Sequence, residues 1–346
     1  MIRVALALSL LAGCAQADSS PQAEGASELL HLDNGATLRA VIAPRHGGEL
    51  AGLAFRFDDA WHELIYRARD YTEAPGWRGK APLLWPAVGV SLDPEGEGRG
   101  YRIEGRHHSM PPHGFARDRA WRVLRHEPAA EPGRAVLALA SDEATRVLYP
   151  FDFELQVEYR LTADRLTIEY RLSAAAANTA PMPFCIGNHI TFKAPLIPGS
   201  AAGEVRFHTG LPEQFLREDD RSFAGRVAPS PFRAEQPLSA LPRRSAVSLG
   251  GRPGPAELTV IDPSGLRVVL RHAASAEPAE PAIRFNLWAD TVEGFFSPEP
   301  WLGTQNGLNT GAGLIRLEPG ERWTWRIEVV PTAGSEFVST YHEESS

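Results

Sequence analysis

Cysteine is scarce in this sequence of 346 residues, and so are long apolar segments and an excess of positive charge. The two cysteines, Cys14 and Cys185, cannot build a disulfide framework. Beyond residue 13 there is no apolar run as long as the roughly 18 residues that a transmembrane helix needs. Lys and Arg number 35 against 43 Asp and Glu, and the resulting net charge of −8 disfavours extended contact with nucleic acid.

Several common cofactor motifs are also missing. Gly311-Ala312-Gly313 does not follow a strand and open a helix, as a dinucleotide-binding loop does. The Gly-rich run at 95–100 is acidic and lacks the Lys and Ser/Thr of a phosphate-binding loop. His107, His108 and His113 are close in sequence but have no nearby carboxylate at ligand spacing. We therefore expect no nucleotide cofactor and no metal.

The first residues are typical of a bacterial export signal. Arg3 provides a positive start, and residues 4–12 form an apolar stretch that is too short to span a bilayer. The stretch ends in Leu11-Ala12-Gly13-Cys14, which resembles the lipobox of bacterial lipoproteins. An ordinary signal peptide that is cleaved nearby is the alternative.

The lipobox resemblance implies that residues 1–13 are removed and that Cys14 is diacylated. Residues 14–27, rich in Ala, Gln, Ser, Glu and Gly, are predicted to be a flexible tether. Ala15, rather than Asp, follows the cysteine, so we expect the lipoprotein on the periplasmic side of the outer membrane. The lipid would then be its only contact with a membrane.

Apolar and polar residues alternate along much of the chain, and this period of two indicates β-strands. Residues 155–161 and 166–172 form one predicted hairpin, residues 258–260 and 266–270 form a second, and residues 323–329 form a further strand. Gly and Pro total 60 residues, which suits many turns. The predicted fold is all-β, a large antiparallel sandwich.

The predicted organisation is a single domain that covers residues 28–335, followed by a polar tail at 336–346. Within the domain, residues 217–256 are rich in Arg, Pro and Ser. This composition predicts a long excursion over the surface.

Three short segments, 110–117, 184–192 and 295–301, place ionisable residues among Gly, Pro and aromatic neighbours. A sugar site needs such aromatic faces and a few fixed polar groups. Each segment also has a purely structural interpretation: a surface turn, a buried and satisfied histidine, or a solvated glutamate. Composition alone leaves this choice open.

In order and spacing these segments resemble the aldose 1-epimerase (galactose mutarotase) family, including its hexose-6-phosphate branch. The most specific motif is HGFAR at 113–117; the others are GNHITF at 187–192, Asn286-Leu287-Trp288, Glu299-Pro300-Trp301 and Leu317-Glu318-Pro319-Gly320-Glu321. The resemblance covers most of the chain. It implies a galactose mutarotase-like β-supersandwich and a cofactor-free interconversion of the α and β anomers of an aldose.

The resemblance also implies roles for individual residues. Glu299 would be the general base on the anomeric hydroxyl, His189 the general acid toward the ring oxygen, and His113 a hydrogen-bonding group that helps to polarise the substrate. A carboxylate and an imidazole suit proton transfer near neutral pH. The expected substrate-binding residues are Arg117, Trp301, Asn188, Trp85 and Asp290.

The sequence departs from the family at one sugar contact. Val90 stands where many members have an Arg, and Arg78 or Lys80 are the candidates to replace it. The Arg117 guanidinium suits the binding of a phosphate oxyanion. Alternatively, Arg117 pairs with a carboxylate and thereby braces its loop. The expected export of the protein favours this second role.

The expected partner is a monosaccharide or the reducing end of an oligosaccharide. A carbohydrate-binding lipoprotein without turnover, or another isomerase or lyase of the same superfamily, is the alternative to an epimerase.

Overall fold

The computed structural model describes residues 29–73, 76–96, 98–128, 130–218 and 222–334. The predicted signal peptide, the lipidation predicted at Cys14, the predicted tether and the predicted polar tail all lie outside the described residues. Within the ranges that are described, no helix is both long and apolar enough to cross a membrane.

The regular secondary structure of the described part of the chain is almost entirely β-strand. In chain order they are β1 Leu30–Asp33, β2 Leu38–Ala43, β3 Glu49–Phe57, β4 Ala60–Glu63, β5 Leu83–Leu84, β6 Gly100–Ile103, β7 Arg106–Ser109, β8 Arg122–Glu127, β9 Gly133–Ala140, β10 Phe153–Leu161, β11 Leu166–Ala174, β12 Met182–Phe184, β13 Ile186–Asn188, β14 Phe192–Lys193, β15 Arg206–Thr209, β16 Glu213–Arg217, β17 Phe223–Pro229, β18 Gln236–Pro237, β19 Val247–Gly250, β20 Ala256–Ile261, β21 Leu266–Ala274, β22 Ile283–Asp290, β23 Phe295–Gly303, β24 Ile315–Leu317 and β25 Arg322–Ala333. The helical segments are short: α1 Glu143–Leu148, α2 Gly307–Thr310 and 3₁₀ turns at Ala116–Asp118, Ala202–Glu204 and Leu238–Ala240.

Two large antiparallel sheets form the body. One has nine strands in the order β18-β15-β20-β21-β25-β11-β10-β9-β8. The other has eight, in the order β17-β16-β19-β22-β23-β13-β5, with β14 paired to β23. A four-stranded sheet, β1-β2-β3-β4, adds to them. The prediction of an all-β antiparallel fold is confirmed.

The two predicted hairpins are present. Strands β10 and β11 pair along their whole length, from Phe153 opposite Ala174 to Leu161 opposite Leu166. Their alternate apolar residues are fully buried, and each buried Leu or Ile contributes about 1.5–3 kcal/mol. Strands β20 and β21 form the second hairpin, and β25 lies between β21 and β11.

A continuous apolar core joins inward-facing residues of both large sheets, among them Trp325 and Phe285. Buried polar groups also link the two sheets. Asn188 of β13 donates to the Tyr170 hydroxyl of β11 at 3.0 Å. The fold therefore fixes β13, β22 and β23, the strands that carry the predicted site, against a rigid layer.

The prediction that residues 217–256 are a surface excursion is wrong in part. Strand β17 does lie at an edge, with its residues exposed or half-buried. Strand β19, however, lies inside the eight-stranded sheet between β16 and β22, and all four of its residues are buried. Its apolar run is too short, and too close to Pro and Arg residues, to have been recognised as a strand.

Candidate active site

A cavity of about 610 Å³ is lined by residues of β16, β22 and β23 and of the loops around them. Residues two apart in a strand point to the same face. Asn286 and Trp288 of β22, and Glu299 and Trp301 of β23, therefore line one wall. His189, which follows β13, lies beside them.

Glu299 is 2% exposed and is held at both carboxylate oxygens. The Asn286 side chain donates to Oε1 at 3.0 Å, and the Trp301 indole donates to Oε2 at 3.1 Å. Burial raises the pKa of Glu299 to about 8, and the two hydrogen bonds and the charge of Arg217 partly oppose this rise. The group therefore titrates close to neutral pH.

His189 faces the same carboxyl group. Its Nε2 lies 3.6 Å from Glu299 Oε1. On the other side of the ring, Nδ1 lies 3.5 Å from the hydroxyl of Thr191, which donates to the His189 carbonyl oxygen at 2.9 Å and lies 2.8 Å from the hydroxyl of Ser297. Burial lowers the pKa of His189 to about 4.

These two pKa values determine the proton content of the pair. Between about pH 4 and about pH 8, His189 and Glu299 together hold one proton, which lies on Glu299 in the free protein. Moving that proton to His189 leaves the total charge unchanged. The pair thus contains one acid and one base across the neutral range.

His113 has a fixed tautomer. The Gly89 amide donates to His113 Nδ1 at 3.1 Å, and the His113 amide donates to the Gly89 carbonyl at 2.7 Å. Nδ1 is therefore unprotonated, and Nε2 carries the ring hydrogen. Burial lowers the pKa of His113 well below its usual value, so the ring is a neutral hydrogen-bond donor.

The sequence around His113 explains this placement. His113 has a φ of 67° and Gly114 a φ of 72°, a left-handed conformation that favours glycine at the second position. A Cβ at Gly114 would lie 2.0 Å from the Trp85 carbonyl oxygen. The dipeptide thus allows the loop to pass close to the Trp85 backbone and directs the imidazole toward the cavity.

Two of the expected substrate-binding residues line the cavity. Trp301 is fully buried, and its indole N–H is already used by Glu299, so it presents mainly its ring. Arg117 is partly exposed and donates to the Pro112 carbonyl at 3.0 Å. This hydrogen bond to a backbone carbonyl braces the loop that carries His113, and the Asp118 carboxylate lies 3.8 Å from the guanidinium.

The other three expected contacts do not line the cavity, and this part of the prediction is wrong. Trp85 packs in the core, with its ring centroid 4.5 Å from that of Phe153. Asn188 is fully buried on the face of β13 opposite His189, where it donates to Tyr170. Asp290 is buried and paired with two arginines.

Asp290 organises the rim of the cavity. Its buried carboxylate accepts from Arg243 at 2.8 Å and from Arg244 at 2.5 Å. These hydrogen bonds hold the pKa of Asp290 well below its usual range. Arg244 lines the cavity and Asp290 does not, so Asp290 can influence the site through the Arg244 side chain.

Neither sequence candidate replaces the family's arginine. Lys80 is buried and donates to the Arg78 carbonyl at 3.2 Å, and neither residue lines the cavity. Val90 does line it, and Arg217, at the end of β16, is a guanidinium that reaches it. Arg217 also donates to the Ala246 carbonyl.

Sequence reasoning missed several cavity residues. Trp77 and Trp288 meet edge to face with ring centroids 4.9 Å apart, and Gln305 packs its side chain against Gly89. Trp288 lies in a motif that matched the family and could have been found there. Arg217 and Trp77 lie in segments without a recognisable motif.

The three sequence-neighbouring histidines separate in the fold. His107 pairs with Asp93 at 2.5 Å, His108 lies near the Val147 carbonyl, and His113 faces the cavity. In the ranges that the structure describes, no three His, Cys, Asp or Glu side chains converge on a point where a metal ion could bind.

The sequence and the fold are similar to those of one family. The family model for aldose 1-epimerase matches residues 28–235. The chain belongs to the aldose 1-epimerase family. The match ends before β22 and β23. The location of Glu299 at the cavity therefore comes from the structure and not from this match. No protein of curated function matches the sequence.

Several solved structures have the same fold. A galactose mutarotase related enzyme from Lactobacillus acidophilus has 21% identity and a TM-score of 0.72, with 89% of this chain and 99% of that chain covered. A galactose mutarotase-like protein from Lactobacillus casei has 22% identity and a TM-score of 0.69, with 88% and 100% covered. An aldose epimerase homologue from C. elegans has 17% identity and a TM-score of 0.68, with 90% and 100% covered. The fold is therefore galactose mutarotase-like.

Proposed function

We propose that this protein is an aldose 1-epimerase that interconverts the α and β anomers of a sugar by opening and closing its ring. The observation that carries the proposal is the 3.6 Å separation of Glu299 Oε1 and His189 Nε2 at the wall of one cavity, with His113 also facing it. The anomeric and ring oxygens share the same carbon. An acid and a base that act on them must converge in this way.

In the proposed reaction, the shared proton first moves from Glu299 to His189, and the resulting Glu299 carboxylate takes the proton of the anomeric hydroxyl. The bond between C1 and the ring oxygen breaks, its electron pair goes to that oxygen, and the His189 imidazolium protonates it. The Nε2–H of His113 donates a hydrogen bond to a sugar oxygen and helps to polarise the reacting centre. The open chain carries an aldehyde at C1.

Rotation about C1–C2 presents the other face of the aldehyde. His189, now neutral, takes the hydroxyl proton back as that oxygen attacks C1. Glu299, now protonated, gives its proton to the former carbonyl oxygen. Both groups end as they began, so the pair needs one proton in total and no external acid, base or oxidant.

The test is exchange between anomers, measured by NMR with freshly dissolved aldoses and oligosaccharides. We expect the protein to accelerate exchange between the anomers. The variants Glu299→Gln and His189→Ala should each reduce the exchange rate by about 10²–10⁴-fold. The exposed Glu280→Gln serves as the matched control and should leave the rate unchanged. Full activity in Glu299→Gln would refute the assigned base.

A carbohydrate-binding protein without turnover is the second candidate. Val90 favours it, because an apolar side chain lines the cavity where family members carry a sugar-binding arginine. Saturable sugar binding by calorimetry, with no acceleration of exchange for any bound sugar, would select this function over epimerisation.

We also propose that the protein is exported and anchored by lipid at Cys14. Leu11-Ala12-Gly13-Cys14 supports the proposal. In cells grown with labelled palmitate, we expect label in the wild type and none in Cys14→Ala. Label-free protein in the soluble periplasmic fraction would instead indicate an ordinary signal peptide.

A further inference from the structure

Three neighbouring strands carry a row of hydrogen-bonded side chains that ends at Glu299. Ser248 of β19 lies opposite Asn286 of β22, and Asn286 lies opposite Glu299 of β23. The Ser248 hydroxyl donates to Asn286 Oδ1 at 2.9 Å, and Asn286 Nδ2 donates to Glu299 Oε1 at 3.0 Å. Ser248 is 1% exposed and does not line the cavity.

The orientation of the Asn286 amide in this row depends on the Ser248 hydroxyl. An asparagine amide has a donor end and an acceptor end, and a rotation of 180° exchanges them. Donation from Ser248 to Oδ1 leaves Nδ2 facing the carboxylate. In the reverse orientation Oδ1 would face Glu299 Oε1, and only a protonated Glu299 could donate to it.

The two orientations favour different protonation states. An N–H that faces the carboxylate stabilises its charged form, whereas a carbonyl oxygen there stabilises the neutral acid. His189 lies 3.6 Å from the Glu299 carboxylate, and the charge of Arg217 also acts on it. The other titratable or charged groups that line the same cavity are His113, Arg117, Glu218 and Arg244.

We propose that Ser248 is a positioning residue, whose hydroxyl fixes the Asn286 amide so that Nδ2–H supports the Glu299 carboxylate during proton transfer. The inference rests on the proposed function for its catalytic meaning. Removing the hydroxyl lets the amide turn, which holds the shared proton on Glu299 and lowers the fraction on His189.

The variants are Ser248→Ala, which deletes the hydroxyl, and Ser248→Thr, which keeps it. A hydrogen bond to a charged group contributes about 1.5–3 kcal/mol, which corresponds to about a tenfold or larger change. In Ser248→Ala we expect kcat to fall about tenfold, KM to change little, and the alkaline limb of the pH profile to move up by about one unit. Ser248→Thr should restore both values.

Ser230→Ala is the matched control. Ser230 is also buried, accepts a hydrogen bond from the Phe232 amide, and does not line the cavity. It should leave the alkaline limb in place. If Ser248→Ala loses activity but its alkaline limb does not move, Ser248 has only a structural role and the proposal is overturned. The proposal is also overturned if Ser248→Ala has the activity and the pH profile of the wild type.

A second measurement is independent of turnover. The carboxyl carbon of Glu299 can be titrated by ¹³C NMR in protein labelled at glutamate, with Glu299→Gln to assign the signal. We expect a higher pKa in Ser248→Ala than in the wild type and in Ser248→Thr. An unchanged pKa overturns the role of Ser248, whereas a raised pKa in a protein without epimerase activity refutes only the proposed function.

Discussion

The buried carboxyl of Glu299 should make the protein less stable as the pH rises. Its pKa is about 8 in the folded protein against an ordinary value of 4.5. Because folding raises this pKa, the stability that the group contributes is complete below pH 4.5 and is lost between 4.5 and about 8. At 1.36 kcal/mol per unit, the loss is about 3 kcal/mol at pH 7 and about 5 kcal/mol above pH 8.

Glu299→Gln should remove this loss, since glutamine does not ionise. We expect the stability of the variant relative to the wild type to increase by about 4 kcal/mol between roughly pH 5 and pH 9. Urea unfolding at both pH values measures the difference, and the exposed Glu280→Gln should show a constant difference. A difference for Glu299→Gln that does not change with pH would refute the raised pKa and the argument for a shared proton.

Three further predictions concern the site. The pH dependence of kcat/KM should be bell-shaped, with limbs near the pKa values of about 4 for His189 and about 8 for Glu299, and a single limb near pH 6.5 would contradict the shared proton. Gly114→Ala should destabilise the protein and reduce activity, because its Cβ meets the Trp85 carbonyl at 2.0 Å; unfolding and exchange assays check both effects. Asp290→Asn should raise KM more than it lowers kcat by loosening Arg244 at the rim, and steady-state kinetics with an unchanged KM would argue against this role.

Much of the fold could be predicted because β10, β11, β20 and β21 alternate cleanly between apolar and polar residues. Strand β19 could not be, since its four residues are too few to establish a period of two beside the Pro and Arg residues that precede them. Its pairing with β16 and β22 depends on residues distant in sequence. The sequence therefore indicated the individual strands better than it indicated which strands pair with each other.

For the candidate site, too, local features could be predicted and long-range placement could not. The motifs identified His113, His189 and Glu299 as candidates. A motif does not predict, however, which way each side chain points. Asn188 and His189 are adjacent and face opposite sides, so one packs in the core and the other lines the cavity. Arg217 reaches the cavity only because β16 pairs with β19, and no local signal encodes that approach.

Strand β23 supports both proton-transfer partners. Ser297 lies beside Thr191, which in turn supports His189, while Glu299 is two residues further along the same face. Glu299 and the Ser297 hydroxyl beside Thr191 are thus held apart by one repeat of β23, about 6.8 Å for two residues. Such preorganisation means that little reorganisation free energy is spent when a sugar enters. A one-residue slip of β23 would turn Glu299 and Trp301 away from the cavity together, so the reaction would be lost in a single step and not weakened gradually.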